Sequence, residues 1–354
     1  MRPTTKDLAK AAGVSLATVD RVLNGRAGVR RETVAAVNDA IEKLGFVRNL
    51  SAANLARGRT YRFRFLLPKS GDLFMDSMIA HIEEARHAFA AEFVDVGYRR
   101  EIGSDPHQIA RVLAQIDPDT LDGVALMAPE APQVRDATSR LRERGVHVVQ
   151  FVSGQPGVRE ADFVGVDNRA AGATAGRIMG RFCGGRTGAI LIVSETMNAR
   201  DSLERRHGFD FVVARDFPML TALPTLETHG DAERARAIIA KAYATHGAII
   251  GAYVLSSEAR LALEAIADVS DPLKQVIIAH ERTRFSEALL RNGQLDAVIA
   301  QNPGHLIRSA LRVLRARCDE REPIASQEDI RIEILLRENL GDWSEETDRA
   351  RHPS

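Results

Sequence analysis

The stretch that decides the fold of the N-terminal region is residues 4–46, TTKDLAKAAGVSLATVDRVLNGRAGVRRETVAAVNDAIEKLGF. Its apolar residues recur at helical spacing in three segments, which are Thr5 to Ala12, Leu16 to Leu23 and about Arg31 to Leu44. Each segment ends at a helix-breaking residue, and these are Gly13, Asn24-Gly25 and Gly45. The sequence therefore predicts three short helices joined by tight turns.

The first two helices have the spacing of a helix-turn-helix, whose second helix can enter the major groove of DNA. Ser15 is the predicted N-cap of that second helix. Four of its residues point away from the apolar stripe, namely Leu16, Ala17, Asp20 and Arg21. Arg21 can donate to guanine O6 and N7, and Leu16 and Ala17 can contact a thymine methyl. A three-helix module that docks on proteins has the same periodicity, so the spacing alone leaves both alternatives open.

The charge distribution is uneven along the chain. Residues 1–60 carry eleven Lys and Arg against five Asp and Glu, a net charge of +6, and the remaining residues balance it at −6. A small basic segment on a larger acidic body is typical of an arm that binds a polyanion. A solvated basic face is the common alternative.

Residues 4–46 resemble the DNA-binding headpiece of the LacI/GalR family of bacterial repressors. The match has no gap and carries T-x-x-D-[LV]-A, A-G-V-S, T-V-x-R-V-[LI]-N and V-x-x-x-T in order. The resemblance places Leu16, Ala17 and Arg21 where the family reads base edges. Its other implied DNA-binding positions in this stretch are Thr4, Thr5, Ser15, Thr18, Asn24 and Thr33. Asp20 stands where many members have serine, and it either accepts from a cytosine amine or pairs with Arg21 or Arg26.

Residues 49–60, NLSAANLARGRT, form the next informative segment. Ser51 can cap a helix Ala52–Ala56, but such a helix is far shorter than the ~12–15 residues that hold a helix in water. A plain interdomain linker is therefore one interpretation. The resemblance implies the family's hinge helix instead, with Asn54 and Leu55 as DNA contacts and Leu55 as the side chain that wedges into the minor groove.

From Tyr61 onward, short apolar runs alternate with amphipathic segments. The apolar runs are Phe63–Leu67, Val124–Met127, Val146–Val152, Phe163–Val166, Ala189–Val193, Ile249–Val254, Val276–Ala279 and Ala297–Ala300. The amphipathic segments are Met75–Phe89, Ala131–Arg144, Ala170–Phe182, Asp231–Tyr243, Ser286–Leu290 and Leu306–Leu314. Strands that alternate with helices form parallel sheets covered on both faces. About 280 residues is too many for one such sheet, so the pattern predicts two α/β lobes.

Polar residues follow several of these predicted strands. They are Asp167-Asn168-Arg169, Asn198, Arg200, Glu281 and Gln301-Asn302. Ligands of open α/β sheets bind beyond the carboxyl ends of the strands, and carboxylates, amides and an arginine suit a ligand rich in hydroxyls. Leu73 and Phe74 can offer an apolar face to a sugar ring. Each residue alone has a simpler interpretation as a helix cap or a surface ion pair, but together they indicate a pocket.

This second region resembles the type I periplasmic-binding-protein fold that forms the effector domain of LacI/GalR regulators. The similarity is closest to the subgroup related to sugar ABC-transporter binding proteins, and GVDNRAAGATAGR, ERRHGF, GAY, AHERT and DAVIAQNP carry it. With Arg200 from the strand-end argument, the candidate effector-binding residues are Phe74, Ser153, Asp167, Arg200, Arg205, Glu281 and Gln301. Residues 254–260, VLSSEAR, differ from the subgroup's usual stretch, so the resemblance implies a sugar, polyol or derivative without naming one.

The predicted fold is an all-α helix-turn-helix headpiece followed by an α/β, two-lobed periplasmic-binding-protein type I fold with parallel sheets. The predicted boundaries are 1–48 for the headpiece, 49–60 for the hinge helix or linker, 61–341 for the effector-binding and dimerisation domain and 342–354 for a polar tail. The N-lobe is predicted at about 61–163 and 300–326, and the C-lobe at about 164–299 and 327–341. Met75, Met78, Ile79 and Ile82 are candidates for the dimer surface, or face their own sheet.

The sequence lacks the common enzymatic motifs. No G-x-G-x-x-G follows a strand, there is no G-x-x-x-x-G-K-[ST] or G-x-S-x-G, and the ten histidines show no metal-ligand spacing. We therefore expect no catalytic residue, no metal and no cofactor. Two cysteines suit a reducing cytosol, and MRPTTKDLAK lacks the apolar core of a signal peptide, so we expect a cytoplasmic protein.

The expected function is a homodimeric repressor that binds pseudo-palindromic operator DNA. We expect it to control a carbohydrate or polyol uptake or catabolism operon and to be released by its ligand, while corepression stays open. A periplasmic-type sugar-binding protein without a DNA role is the main alternative, and an enzyme of Rossmann-like fold is the second.

Overall fold

The computed structural model describes residues 3–23, 28–44, 46, 60–69, 72–103, 105–154 and 162–341. The chain divides into two compact units, Met1–Thr60 and Tyr61–Ser354, called here the N-terminal unit and the C-terminal unit. The predicted DNA contacts Asn24, Asn54 and Leu55 lie outside the described residues, as do most of the predicted hinge and the polar tail.

The N-terminal unit contains the three predicted helices, α1 (Thr5–Ala12), α2 (Leu16–Leu23) and α3 (Arg31–Leu44). Gly13 ends α1 in the left-handed conformation at φ 66°, and its N–H donates to the carbonyls at the end of the helix. Leu8, Val19 and Val37, one from each helix, are fully buried in a shared core. The sequence pattern predicted these bounds correctly.

The first lobe of the C-terminal unit is built on a five-stranded sheet. Its elements are β1 (Tyr61–Pro68), α4 (Leu73–Ala90), β2 (Val94–Ile102), α5 (Pro106–Ala114), β3 (Gly123–Leu126), α6 (Pro132–Glu143), β4 (His147–Phe151) and β5 (Phe163–Val164). The strand order is β2-β1-β3-β4-β5, and every neighbouring pair is parallel. All carboxyl ends of these strands therefore lie at one edge of the sheet.

The second lobe is built on a seven-stranded sheet of order β12-β11-β10-β9-β6-β7, with β8 paired to β6. Its elements are α7 (Asn168–Phe182), β6 (Gly188–Ser194), α8 (Arg200–Asp216), β7 (Leu220–Ala222), β8 (Leu226–Glu227), α9 (Ala232–Thr245), β9 (Ile249–Val254), α10 (Arg260–Val269), β10 (Val276–His280), α11 (Arg284–Arg291), β11 (Ala297–Ala300), and, after the chain's last helices, β12 (Glu333–Leu335). The pairs are parallel except β11 with β12, which is antiparallel.

The chain returns to the first lobe after β11, through α12 (Pro303–Cys318), and α13 (Ala325–Glu328) follows before β12. Leu306, Leu311 and Leu314 of α12 are buried in the same core as Phe63 and Met78 of the first lobe. Each lobe is thus made from separate segments of the chain, and several connections join the two lobes. None of the described helices has the length and apolar character needed to cross a bilayer.

Helix α4 packs on its own sheet, which decides between the two alternatives for its apolar residues. Met75, Met78 and Ile82 are at most 1 % exposed in the core of the first lobe, and Ile79 packs against that core. The assignment of these side chains to a dimer surface is therefore wrong. Burial of large apolar side chains against the sheet is the stronger driving force here.

Several elements escaped the sequence pattern, and α8 is the most informative. Its buried positions include Ser202, Arg205 and Gly208 beside Phe209 and Val212, so half of its buried face is polar or small. Such a helix shows no clean apolar stripe, which is the signal that sequence reading relies on. The strand β2 was missed for a related reason, since charged residues interrupt it.

Candidate functional site

The residues of helix α2 that are predicted to read bases are exposed to solvent. Leu16 is 47 % exposed, and Ala17 and Arg21 are also exposed, whereas Val19 on the opposite face is fully buried. The Ser15 hydroxyl accepts from the backbone N–H of Thr18 at 3.2 Å and fixes the start of the helix. An exposed leucine can contact a thymine methyl in the major groove, and an exposed arginine can donate to guanine.

The residues predicted to contact the DNA backbone lie around this helix. Thr4 caps α1, and its hydroxyl and N–H both donate to Asp7, at 2.7 and 2.8 Å. These hydrogen bonds, the hydroxyl's first, hold the pKa of the Asp7 carboxyl below its usual value. Thr5 is exposed, and Thr33 is half-buried in the first turn of α3.

The second lobe holds a fully buried arginine, Arg205, which is 1 % exposed and lies on α8. Its Nε donates to Asn168 Oδ1 at 2.9 Å, and its Nη1 donates to the Leu255 carbonyl at 2.8 Å. Its Nη2 donates to Glu281 Oε1 at 3.3 Å, and Asp201 Oδ2 lies 4.0 Å from Nη1. These partners come from four different segments of the second lobe, so the guanidinium is held in one place by the fold.

Two glycines allow α7 and α8 to approach closely enough for this arrangement. A Cβ on Gly172 of α7 would lie 1.8 Å from the carbonyl oxygen of Arg205. A Cβ on Gly208 of α8 would lie 2.0 Å from the carbonyl oxygen of Arg169. Since only glycine fits at both positions, the two backbones meet directly, and Arg205 is brought beside Asn168 at the start of α7.

Glu281 and Gln301 complete the buried network at the ends of β10 and β11. Gln301 Nε2 donates to Glu281 Oε1 at 2.9 Å, and the two side chains are 1 % and 2 % exposed. Among the described residues, Glu281 Oε2 and Gln301 Oε1 have no hydrogen-bond donor. A buried acceptor without a donor costs about 1–3 kcal/mol, so this site gains free energy when a ligand supplies donors.

The backbone and protonation state of Glu281 are also unusual. Its φ is +65°, in the left-handed region that non-glycine residues adopt chiefly at functional sites. Burial raises the pKa of its carboxyl, and the Arg205 guanidinium opposes that shift. The carboxylate is thus kept in a buried place where only hydrogen bonds and one arginine compensate its charge.

Tyr253 and His280 lie next to this network. The Tyr253 hydroxyl and His280 Nε2 are 2.7 Å apart, and both side chains are buried. Burial first, and then the Arg205 charge, hold the pKa of His280 well below its usual value, so the imidazole is neutral. The phenol stacks on Phe209 with ring centroids 4.6 Å apart. Tyr253 thus joins His280 by a hydrogen bond and Phe209 by ring stacking.

A cleft of about 540 Å³ lies between the two lobes and reaches Gln301. Leu73 and Ser77 of α4 line it from the first lobe, and Arg282 and Thr283 line it from the second. Its volume is in the range of small-molecule sites. Gln301 therefore belongs both to the cleft wall and to the buried network around Arg205 and Glu281.

Three of the predicted effector-binding residues are thus brought together by the fold, namely Arg205, Glu281 and Gln301. Their sequence positions span almost a hundred residues, and they meet because they follow or face the carboxyl ends of neighbouring strands. The strand-end pattern named Asn168 among the polar residues that indicate a pocket, but the candidate effector-binding residues included neither Asn168 nor the Leu255 carbonyl. The position of Asn168 at the start of a helix after a strand was the available signal for it.

The remaining predicted residues have other contacts. The Asp167 side chain accepts from Ala170 N at 2.9 Å, which makes it the N-cap of α7. Arg200 pairs with Glu204 at 2.7 Å and with Glu130 of the first lobe at 3.2 Å. Phe74 is 1 % exposed in the core of the first lobe, and Ser153 is 7 % exposed after β4. None of these contacts joins them to the network around Arg205.

Comparison with protein families gives two matches along the chain. Residues 4–49 match the bacterial regulatory proteins of the lacI family. Residues 63–322 match the periplasmic binding protein domain. The first match covers the N-terminal unit and the second covers most of the C-terminal unit, in the order that the sequence resemblance implied.

Curated relatives include the maltose regulon regulatory protein MalI of Escherichia coli (strain K12), 31% identical over 48% of this chain and 47% of the relative. The HTH-type transcriptional regulator RegA of Clostridium saccharobutylicum is 32% identical over 36% of this chain and 37% of the relative. AglR of Rhizobium meliloti (strain 1021), also an HTH-type transcriptional regulator, is 27% identical over 57% of this chain and 55% of the relative. The chain thus spans about half or less of the length of most of these relatives.

Solved structures share the fold of the C-terminal unit. An ABC transporter solute binding protein from Burkholderia graminis in complex with D-arabinose is 19% identical, with a TM-score of 0.70 over 80% of this chain and 98% of its own. The glucose-galactose binding protein GanP from Geobacillus stearothermophilus is 17% identical, with a TM-score of 0.69 over 80% and 99%. A putative LacI transcriptional regulator from Bacteroides fragilis is 18% identical, with a TM-score of 0.65 over 81% and 100%. These likenesses show the fold.

Proposed function

This chain belongs to the LacI family of bacterial regulatory proteins. From that premise we propose that it is a transcriptional repressor whose affinity for operator DNA is controlled by a small ligand. One observation carries the proposal. The chain carries both an exposed recognition helix, α2, and a cleft lined by Gln301, whose buried Oε1 has no donor among the described residues. The first feature suits DNA, and the second suits a hydroxylated molecule.

DNA is bound through the side chains that the N-terminal unit exposes. Leu16, Ala17 and Arg21 read base edges, and the caps and flanking threonines contact phosphates. In the hinge at 49–60, Asn54 and Leu55 contact DNA, and Leu55 inserts into the minor groove. One headpiece makes too few contacts for tight binding, so the active form is a homodimer on a pseudo-palindromic site.

The ligand is a sugar, a polyol or a derivative held in the cleft of the C-terminal unit. Arg205, Glu281 and Gln301 bind it by hydrogen bonds, and no cofactor or metal takes part. The names of MalI and of the sugar-binding structures support this class. The protein acts by binding, not by catalysis, in the bacterial cytoplasm where its DNA target is.

Ligand binding releases the repressor from DNA by reorienting the two lobes. The connections between the lobes absorb the movement, and the change reaches the hinge through β1, which begins at Tyr61. The coupling is reciprocal, so a ligand that weakens operator binding is itself bound less tightly on the operator. A ligand that tightens operator binding instead would identify corepression.

The test is operator selection from random duplex DNA, followed by titration of the selected site at two salt concentrations. Arg21→Ala and Leu55→Ala should each weaken binding to the selected site, and Leu55→Ala should also reduce DNA bending, while ligand affinity is retained. A chain that retains no duplex at low salt would be a sugar-binding protein without a DNA role.

The ligand is then sought by thermal melting with pentoses, hexoses, polyols and their phosphates. A ligand at ~100 times its dissociation constant adds about 2.7 kcal/mol of stability. The ligand that stabilises the chain should lower its affinity for the selected operator. A stabilising ligand with no effect on operator affinity would separate the two units functionally and contradict the proposed repressor.

A further inference from the structure

Two helices, α11 and α12, begin at the wall of the cleft between the lobes. Thr283 and Arg284 at the start of α11 line the cleft, and so do Asn302 and Pro303 at the start of α12. A helix N-terminus carries about half a positive elementary charge, because its first backbone N–H groups have no partner inside the helix. The two helix starts therefore make this wall of the cleft positive.

An arginine of α12 reaches back to the start of its own helix. A Cβ on Gly304 would lie 2.9 Å from Arg308 Nη1. It would lie 3.1 Å from His81 Cδ2 and 3.5 Å from Asn302 Oδ1, and both of these residues line the cleft. The Arg308 guanidinium thus lies at the first turn of α12, beside the cleft wall. Cations are stabilised at the C-terminus of a helix and not at its N-terminus, so this position favours an anion that compensates both positive charges.

Two arginines at these helix starts have no carboxylate to balance them. Arg284 and Arg308 are exposed, and in the part of the chain that the structure describes neither forms an ion pair. By contrast, Arg282 also lines the cleft but pairs with Glu287 at 2.6 Å. A guanidinium without a carboxylate partner keeps its N–H donors available to an anionic ligand, and its planar donor set fits phosphate and carboxylate groups.

Carboxylates also line the cleft, and each of them has a partner within the protein. The pairs are Asp76 with Arg100 at 3.8 Å, Glu287 with Arg282 at 2.6 Å, and Glu333 with Asn302 Nδ2 at 3.4 Å. The partner of Glu333 is a neutral amide, so this carboxylate keeps its charge. Against it stand the charges of Arg284 and Arg308 and the positive ends of two helices. The charge that the cleft leaves for a ligand to balance is therefore positive.

A buried acceptor next to the start of α12 indicates that the ligand also carries hydroxyl groups. Gln301 lines the cleft, is 2 % exposed and immediately precedes Asn302, the N-cap of α12. Its Oε1 has no donor among the described residues, and an ionised phosphate or carboxylate has none to give. A hydroxyl group supplies such a donor. The cleft therefore fits a molecule that combines hydroxyl groups with an anionic group better than it fits an inorganic anion.

We propose that the effector is an anionic sugar, a sugar phosphate or a sugar acid, whose anionic group binds at the start of α12 and accepts from Arg284 and Arg308. A hydroxyl group of the same molecule donates to Gln301. The inference rests on the proposed function, because it names the chemistry of the same effector. It also gives the lobes a reason to close, since Arg284 belongs to the second lobe and Arg308 packs with the first, so that one anion joins the two.

The test compares matched ligands by calorimetry at about pH 7.5, where phosphate and carboxylate groups are ionised. The probes are the terminal phosphate esters of glucose, fructose and ribose, the acids gluconate, glucuronate and galacturonate, the uncharged parent of each, and inorganic phosphate. At least one anionic sugar should bind about tenfold more tightly than its parent, a difference of about 1.4 kcal/mol, and the two groups of probes tell phosphate from carboxylate. Parents that bind as tightly as their anionic forms, or the absence of binding by all the anionic sugars, would overturn the inference. Inorganic phosphate that binds as tightly as the best anionic sugar would overturn it too, because hydroxyl groups would then contribute nothing.

Arg284→Gln and Arg308→Gln each remove one charge from the cleft and keep a polar side chain. Each should reduce the preference for the anionic sugar over its parent about tenfold. Arg111→Gln is the matched control, because Arg111 is exposed on α5 and likewise forms no ion pair within the described ranges, and this variant should keep the full preference. A preference that is unchanged in either cleft variant would overturn the proposed anion site.

Folding and DNA binding are measured on the same variants. Because Arg284 and Arg308 are exposed, the melting temperatures of the ligand-free variants should stay close to that of the unaltered chain. Operator binding separates the two proposals. If an uncharged sugar releases the operator and no anionic sugar does so, the repressor function stands and the anionic sugar inference fails. If the chain binds no operator at all, the proposed function fails, and calorimetry still decides whether an anionic sugar binds in the cleft.

Discussion

The two units of this protein carry their proposed functional side chains in opposite ways. The N-terminal unit displays them, since Leu16 is 47 % exposed and Arg21 is also exposed. The C-terminal unit hides them, since Arg205 and Glu281 are each 1 % exposed. Residues that contact a DNA groove must lie on the protein surface, whereas residues that bind a small ligand surround it in a pocket.

The difference has an energetic consequence. An exposed recognition residue contributes little to folding, so it can change with operator sequence at almost no cost in stability. A buried charged residue is bound into the fold by its partners, so a change in ligand specificity also changes stability. Function and stability should therefore be separable in the N-terminal unit and inseparable at the Arg205 network.

The strongest test of that contrast is Arg205→Ala. Removal of the guanidinium leaves Glu281 buried without its cation, and loss of one partner of a buried pair costs about 3–5 kcal/mol. Denaturant unfolding of the C-terminal unit should show this loss, and the ligand response should disappear. Arg215→Ala, which removes a 54 % exposed arginine paired with Asp216, is the control and should cost at most about 1 kcal/mol.

A second change removes the charge that Arg205→Ala leaves behind. In the double variant with Glu281→Gln, part of the lost stability should return, because the buried carboxylate is now neutral. Equal losses in the single and double variants would show that Arg205 stabilises through packing alone.

The next test addresses the backbone contact that places Arg205. In Gly172→Ala the added methyl would lie 1.8 Å from the Arg205 carbonyl oxygen, so α7 and α8 must separate. We expect a loss of about 1–3 kcal/mol in unfolding free energy together with weaker ligand binding. Gly247→Ala is the matched control, because nothing lies within 4 Å of its Cβ and its φ is ordinary. Ligand affinity equal to that of the control would show that the helices do not position Arg205.

The same contrast explains what the sequence could predict. In the N-terminal unit the three helices and their bounds followed from apolar periodicity and from glycine stops, because local pattern and fold agree there. In the C-terminal unit the apolar strands were predictable, but α8 was not, since Ser202 and Arg205 occupy its buried face. Periodicity has no means of showing that an arginine is inside.

Individual site residues are harder to predict from the sequence than helices and strands. Arg205, Glu281 and Gln301 entered the prediction through family resemblance and strand-end position, and their hydrogen bonds to one another depend on contacts between distant segments. Asp167 has the position that the pattern suggested, but its carboxylate is used to cap α7. Whether a polar residue after a strand caps a helix or faces a cleft is decided by tertiary packing, which a single sequence does not contain.

A smaller effect is expected from a change in the exposed helix α2 of the N-terminal unit. Arg21→Ala should weaken operator binding by about 1–3 kcal/mol and relax selectivity at one base pair, because a bidentate contact is lost. Its unfolding free energy should stay within about 0.5 kcal/mol of the unaltered chain. Lys43→Ala removes an exposed charge at the end of α3 and controls for general electrostatics. A loss of affinity in Arg21→Ala that is uniform across sequences, with selectivity unchanged as in Lys43→Ala, would mean that Arg21 contacts phosphate only.

The smallest effect is expected in the pH dependence of stability, through the buried His280. Burial holds the pKa of His280 well below its ordinary value, so the folded chain keeps the imidazole neutral where the unfolded chain binds a proton. His280 therefore costs stability as pH falls below about 6.5, by at most about 1.4 kcal/mol per pH unit. The raised pKa values of Glu195, Glu258 and Glu281 act in the opposite direction, since the folded chain binds their protons more readily.

The His280→Gln variant separates these contributions because it keeps the carboxylates and removes the imidazole. Unfolding free energies of the two chains should converge as pH falls from about 7.5 to 5.5, because only the unaltered chain loses the His280 contribution. A constant difference across that range would show that the imidazole takes up a proton inside the fold. His280 would then carry a positive charge in acid. The difference in stability effects between the buried network and the exposed helix α2 would be smaller than proposed.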